Sequence, residues 1–379
     1  MTGRELRATG SLAAVFATRL LGLFMIYPVF AGYARHLKGA TPELIGLALG
    51  AYGLTQGLLQ IPFGLLSDRI GRKGVIAAGL LLFAIGSVVA ARSTSIEGVL
   101  FGRIIQGMGA VGSVVLALVA DLTREEVRTE AMAVVGVSIG LSFVAAIGIG
   151  PPLAGAFGVP GIFWLTAGLA LLGIGVTFLI VPAPPRLSRH RDAEAVPALF
   201  ARVFKDRQLL RLDFAIFSLH AILTASFLAV PPLLSATLGL RSPADWKVYL
   251  PVLGGSILLM IPAVFLAERG ARAKEVFIVA IAALAASLLA LAFFGRSALA
   301  LFAALVLFFA AFNTMEALLP ALITKMAPAG AKGTASGIYS SAQFLGIFFG
   351  GACGGLAFAA GGGEAVLGFR VCSRGLCRG

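Results

Sequence analysis

Charged and polar side chains are scarce in this chain of 379 residues, and those that interrupt its apolar runs are the ones able to do chemistry. Arg19, Arg103, His220 and Glu316 each stand inside a long apolar stretch. An ionisable group there is costly, so each is a functional candidate that must face a cavity or a partner. Glu316 is a candidate proton carrier, because withdrawal from water disfavours the charged form of a carboxyl group. Arg19 is a candidate to hold an anionic substrate or to pair with a carboxylate. His220 reads either as a packed, hydrogen-bonded residue or as a proton carrier. Gln106 follows Arg103 by three residues and Asn313 precedes Glu316 by three, so each pair shares a helix face, as do Gln56 and Gln60. A different cluster, Gly64-Leu-Leu-Ser-Asp-Arg-Ile-Gly-Arg-Lys73, places Asp68 beside Arg69, Arg72 and Lys73, where charge-assisted bonds form. Gly64 there permits close helix contact and Gly71 a tight turn. An ordinary basic loop would explain the cations but not the acid or the glycines. Asp121 closes a later apolar run on the same side.

The elements that must position these residues are membrane-spanning helices. Hydrophobic residues make up 59% of the chain, charged residues 12%, and mean hydropathy is +0.98, which fits no soluble class. Apolar stretches of about 20 residues recur, each long enough to cross a hydrocarbon layer of roughly 30 Å, and helices satisfy their own backbone polar groups there. Spans are expected at 11–34, 43–66, 74–91, 96–120, 130–155, 160–181, 209–234, 246–266, 275–294, 297–319 and 333–360, an all-α polytopic protein. The first run follows Arg4 and Arg7 as a signal peptide would, but it is too long and lacks a small-residue cleavage site. Pro28, Pro62, Pro231, Pro232 and Pro262 mark expected bends. A hydrophilic linker at 182–208 divides an N-terminal bundle of six helices, 1–181, from a C-terminal bundle of five, 209–368. An offset of 200 residues superposes Asp68, Arg69 and Arg72 on Glu268, Arg269 and Arg272, so the halves read as diverged repeats.

The net charge of +13 has no continuous basic face and no aromatic interleaving, which excludes nucleic-acid binding. It reads as topology. With the N-terminus inside, the inner loops hold nineteen Lys and Arg residues, among them Arg186, Arg189 and Arg191, and the outer loops six, including Arg241. A multi-pass protein of a bacterial cytoplasmic membrane with a cytoplasmic N-terminus is expected. The tail 369–379 breaks this pattern, since its three arginines would fall outside. It reads as an aberrant end, from a frameshift or truncation that removed a twelfth helix, with a true eleven-helix protein as the competing reading. Cys353, Cys372 and Cys377 show no paired ligand spacing, so no metal is expected. No Ser-His-Asp order or phosphate-cradling loop is present, so neither enzyme activity nor a cofactor is expected.

The Gly64–Lys73 loop between the second and third spans resembles the signature of the major facilitator superfamily. More closely, the chain resembles YajR-type transporters of the drug:proton antiporter group over residues 5–368. The resemblance rests on Thr18-Arg-Leu-Leu-Gly-Leu-Phe-Met25, Tyr52-Gly-Leu-Thr-Gln56, Ile61-Pro-Phe-Gly through Lys73, Asp121-Leu-Thr-Arg-Glu125, Trp246-Lys-Val-Tyr-Leu250 and Met315-Glu-Ala-Leu-Leu-Pro320. It implies two pseudo-symmetric six-helix bundles around a central cavity, the second here lacking its last helix, with alternating access driven by protons. By the same resemblance Asp68, Arg72 and Asp121 form a charge relay. Asp68 would also face the N-terminus of the eleventh span near Gly333, Thr334 and Ser336, latching the halves. Arg103, Gln106, Gly107 and Gly109 match the Arg-x-x-Gln-Gly-x-Gly pattern of proton-coupled members. Gly150, Pro151 and Gly155 partly match the antiporter pattern Gly-x-x-x-Gly-Pro-x-x-Gly-Gly, with Ala146 and Ala154 in place of two glycines.

The expected activity is proton-coupled efflux of a small, drug-like solute by a monomer, with Arg19, Arg103, Gln106, His220, Asn313 and Glu316 along the coupling or substrate path. Its partners would be the solute, protons and the lipid bilayer. Uptake, facilitated diffusion through the same fold and an inactive truncated product are the alternatives.

Overall fold

The computed structural model describes residues 1–183, 200–240, 246–269, 272–328 and 331–367. The tail 369–379, Arg186, Arg189, Arg191 and Arg241 lie outside the described residues, as do Cys372 and Cys377. The helices are α1 (Gly3–Phe24), α2 (Tyr27–Ala34), α3 (Pro42–Ile70), α4 (Arg72–Arg92), α5 (Ile96–Met108), α6 (Gly112–Leu122), α7 (Glu125–Leu179), α8 (Phe200–Lys205), α9 (Arg207–Leu238), α10 (Trp246–Arg269), α11 (Ala273–Phe294), α12 (Ala298–Met326) and α13 (Lys332–Val366). Two spans are each made of a pair, α1 with α2 and α5 with α6. The long α7 is two spans joined at Gly158, whose φ of +69° breaks the helix. Ten apolar segments of sufficient length, one of them double, therefore give eleven spans among the described residues.

Local chemistry explains where these helices begin and where two expectations fail. The first begins at Gly3, not 11, because Thr2 and Glu5 form a reciprocal capping box, with the Thr2 amide donating to Glu5 Oε2 at 2.6 Å. The run expected as one helix over 96–120 is interrupted at Gly109, whose ψ of 50° ends α5 before α6 restarts. Thr41, Ser95 and Asp206 cap α3, α5 and α9 with side-chain oxygens. Pro28 opens α2 after the break at Met25 and Ile26. Arg72 at the start of α4 and Arg272 before the start of α11 hold corresponding positions, as the offset of 200 predicts.

Lipid offers no hydrophobic drive between helices, so packing depends on small residues that let backbones approach. The helix α13 uses two glycine faces for this. Gly346, Gly350 and Gly354 lie on α9, where a Cβ at Gly350 would come within 2.1 Å of the Ala221 carbonyl oxygen. Gly351 and Gly355 lie on Gly46 and Gly50 of α3. The first half packs through α1, α3, α4 and α5 to α7, the second through α9 to α13. Contacts between the halves are made by α3 on α13, α2 on α9 and α7 on α10. An aromatic chain crosses the same boundary: Tyr27 meets Phe227 at 5.4 Å and Phe143 meets Phe312 at 5.7 Å between ring centroids. Outward, Leu141, Phe157, Leu179, Leu258 and Leu299 are exposed, an apolar girdle that belongs in lipid and not in water.

Candidate functional site

The spans present two ends. One carries the N-terminus, Gly71, Thr123 and the start of the linker, and is called the basic end here. The Gly64–Lys73 loop turns there on Gly71, at φ +100°. A Cβ at Gly71 would meet nothing within 4 Å, so its glycine requirement is conformational. Gly71→Ala is expected to destabilise the protein by about 1–3 kcal/mol through backbone strain. Gly74→Ala, also in open space but within α4, should not destabilise it, and thermal unfolding in detergent compares the two. Arg72 is buried between two carboxylates. It bonds Asp68, and its Nε donates to Asp121 Oδ2 at 3.0 Å. Its Nη1 also donates to Ser67 Oγ at 2.7 Å. Lys73 turns aside and donates to the Val181 carbonyl at 2.5 Å, tying the end of the N-terminal bundle to α4, while Arg69 is exposed. Gly64 packs on Ser113 of α6 at ordinary distance.

A second constellation is buried in the first half. Arg19 of α1 donates to the Tyr52 hydroxyl at 2.5 Å and also to Gln56 Oε1. Gln56 passes the chain on to Gln60 Oε1 at 2.7 Å. Arg103 of α5 donates to the backbone carbonyls of Ala48 and Leu49 and, at 3.0 Å, to Gln106 Oε1. Gln106 in turn donates to Ser87 Oγ at 2.7 Å. Both guanidiniums lie on Tyr52, Arg19 at 5.8 Å and Arg103 at 5.1 Å from the ring centroid. Gly107, beside them, packs against the Tyr52 carbonyl.

The third constellation joins α9, α12 and α13 in the second half. His220 directs Nδ1 at the Ile216 carbonyl, 3.3 Å away, which assigns the proton to that nitrogen and leaves Nε2 as an acceptor. Gln343 then uses its amide to donate to His220 Nε2 at 2.9 Å and to Glu316 Oε1 at 3.0 Å. Glu316 Oε2 stands 3.9 Å from His220 Nε2. Tyr339, one turn before Gln343, and Asp213 of α9 are also buried, with no hydrogen-bond partner for the Tyr339 hydroxyl or for Asp213 Oδ1 among the described residues. Asn313 is not part of this group and donates instead to Ser256 Oγ of α10 at 3.3 Å.

The six residues expected on one path therefore fall into two networks, with Asn313 apart from both. Tyr52 and Phe344 bridge them at 6.1 Å across the boundary between the halves. Sequence reasoning missed Asp213, Gln343 and Tyr339. The signals were present: Asp213 precedes His220 by seven residues, two helical turns on one face, and Tyr339 precedes Gln343 by four. Gly150 brings α7 against the Met25 carbonyl and Pro151 beside it is buried, but Gly155 is exposed.

A helical membrane protein with this signature loop and these halves belongs to a recognised class, and the chain is a member of the Major Facilitator Superfamily, whose family model matches residues 12–369. It is a membrane transporter and not an enzyme. Among its relatives, the Inner membrane transport protein YajR of Escherichia coli strain K12 is 45% identical over 355 residues, covering 94% of this chain and 78% of that one. Multidrug resistance protein 1 of Bacillus subtilis strain 168 is 26% identical over 345 residues, 89% of this chain and 86% of its own. Among solved structures, a bacterial homologue of the human lysosomal transporter Spinster, in an inward-facing and occupied conformation, superposes with a TM-score of 0.77 at 15% identity, covering 98% of this chain and 89% of that one. The apolar spans and the YajR relationship make it a multi-pass inner-membrane protein.

Proposed function

We propose that this chain is an alternating-access antiporter that exchanges protons for a small amphipathic solute and moves the solute out of the cell. The observation that carries this is the Glu316–Gln343–His220 group, a carboxylate and an imidazole bridged by one amide inside three spans. Such a group holds or releases a proton within the spans, and the bridging amide senses which state is present, because protonated Glu316 no longer attracts the Gln343 N–H as a charged acceptor. The similarity to Multidrug resistance protein 1 of Bacillus subtilis supports a drug-like solute. In this reading the basic end is cytoplasmic, which the Lys and Arg distribution supports. Residues 1–181 and 209–368 are the rocking bundles, and the 182–208 linker tethers them on the cytoplasmic side.

The reading assigns Asp68, Arg72 and Asp121 the part of a conformational latch, with Arg69, Lys73, Gly64 and Gly71 shaping the turn. Removing one carboxylate takes away an ion-pair partner of buried Arg72, at a cost of about 3 kcal/mol. In Asp121→Asn the cytoplasmic end is expected to open more often, seen as faster maleimide labelling of a cysteine placed at Ser113 after the native cysteines are replaced. Unchanged labelling would remove the latch role.

The transport proposal is tested in proteoliposomes loaded with the pH dye pyranine and offered amphipathic dyes of each charge sign. Dye-elicited proton movement supports exchange. Dye flux that is purely downhill, moves no protons and ignores a protonophore would make the chain a facilitative carrier.

A further inference from the structure

The two buried arginines of the first half are not equally satisfied. Arg103 has every part of its guanidinium engaged by Ala48, Leu49 and Gln106. Arg19 is only 2% exposed and uses Nη2 alone, while its Nε and Nη1 are buried without a hydrogen-bond acceptor. Two cations share the Tyr52 ring, and in a low-dielectric interior they repel each other. No acid of the first half is placed to answer them. Glu5, Glu43, Glu97, Glu125 and Glu126 lie in first turns, Asp68 and Asp121 at the ends of α3 and α6, and Glu130 in the second turn of α7. The first half thus presents an uncompensated guanidinium fork at mid-span, whereas the carboxylates of the interior, Glu316 and Asp213, belong to the second half.

From this asymmetry we infer that Arg19 is the substrate-anion receptor of the transport path: its Nε and Nη1 take the carboxylate of an amphipathic organic anion, with Tyr52 and Gln56 beside it. The planar fork matches a carboxylate, which accepts two parallel N–H bonds. The surroundings match an apolar body attached to that carboxylate. Phe83 lies 5.7 Å from the Arg19 guanidinium, Tyr52 meets Phe344 of α13 at 6.1 Å, and these rings border the contact between the halves. The alternating motion of α3 against α13 would expose Arg19 to solute and bury it again. This inference rests on the transport reading and narrows its substrate class to organic anions.

The test is binding, so that it is independent of proton coupling. Three probes share one apolar body and differ in charge: 4-butylbenzoate, 4-butylbenzamide and 4-butylbenzylammonium, with sodium phosphate as an inorganic anion. Each is titrated into the purified full chain in detergent by calorimetry, with thermal unfolding alongside. The carboxylate is expected to bind roughly tenfold to hundredfold more tightly than the amide, as for a charge-assisted pair. In Arg19→Gln the two should bind alike, and Arg19→Lys should recover part of the difference. Tyr52→Phe and Gln56→Ala should each weaken only the carboxylate severalfold, which keeps the test open if Arg19→Gln does not fold. Preference for the ammonium, carboxylate binding that survives Arg19→Gln, phosphate binding as tight as benzoate, or no binding by any probe would each overturn the assignment. A chain that binds the ammonium and still exchanges it for protons would overturn the anion receptor alone and leave the antiport intact.

Discussion

Glu316→Gln is expected to abolish proton-driven accumulation while leaving downhill exchange of the same solute in place. The glutamine keeps the shape and can still accept from the Gln343 amide, so the bond at 3.0 Å between α12 and α13 has a replacement. What disappears is the proton. A gradient of about one pH unit carries ~1.4 kcal/mol per proton, enough for about tenfold accumulation of a solute exchanged one for one. Reconstituted wild-type protein should approach that ratio, and Glu316→Gln should stay near equal concentrations. His220→Asn should give an intermediate loss, because His220 meets the carboxylate through Gln343 and at 3.9 Å directly. Asp213→Asn separates two roles for the buried acid of α9. Accumulation lost as completely as in Glu316→Gln would make the proton site a two-carboxylate one, whereas retained accumulation would make Asp213 a structural partner near the start of α9. Full accumulation by Glu316→Gln would remove the proposed proton site.

The signature loop was legible because it is local. The glycines, the acid and the arginines lie within ten residues, and the turn at Gly71 with Arg72 beside Asp68 needs no knowledge of distant helices. The spans were legible because the bilayer imposes their length and apolarity, and with α7 divided at Gly158 the described residues hold the eleven expected. Their ends were less so: apolarity marks where lipid begins, whereas the helix runs on through polar residues to its cap, as at Thr2. The break at Gly109 was invisible because both flanks are apolar. The site was half legible. Arg19, Arg103, His220 and Glu316 stand out as charges in apolar runs, but their sorting into two networks depends on helix rotation, which a nearly uniform apolar surface does not reveal. Gln343 was lost for the complementary reason. It carries no charge, and its importance comes from standing between a histidine 123 residues away and a glutamate 27 residues away.

The glycine contact between α3 and α13 sets the second large effect. Gly46→Val is expected to hold the end opposite the basic end open and to reduce transport to background. A Cβ at Gly46 would fall 2.3 Å from the Gly351 carbonyl oxygen and 2.6 Å from Gly355 Cα, both backbone atoms that no rotamer can move aside. Reaching ordinary contact at 3.4 Å requires the two helices to part by about 1 Å or more at this point. Overpacking of this kind costs about 1–3 kcal/mol, and because the halves meet here, opening the boundary relieves the strain without unfolding either bundle. A penalty of about 2 kcal/mol on the closed arrangement would shift the balance of states roughly thirtyfold. Ala31, 3% exposed on α2 at the same end, reports the change as Ala31→Cys once Cys353, Cys372 and Cys377 are replaced. A membrane-impermeant maleimide applied from that end should label the Gly46→Val protein much faster, and Gly74→Val, in open space, should leave labelling unchanged. Slow labelling with retained transport would mean that the backbone approach of α3 and α13 is not what closes this end. Rapid labelling with normal transport would mean that closure there is not required for turnover, and alternating access across this boundary would have to be abandoned.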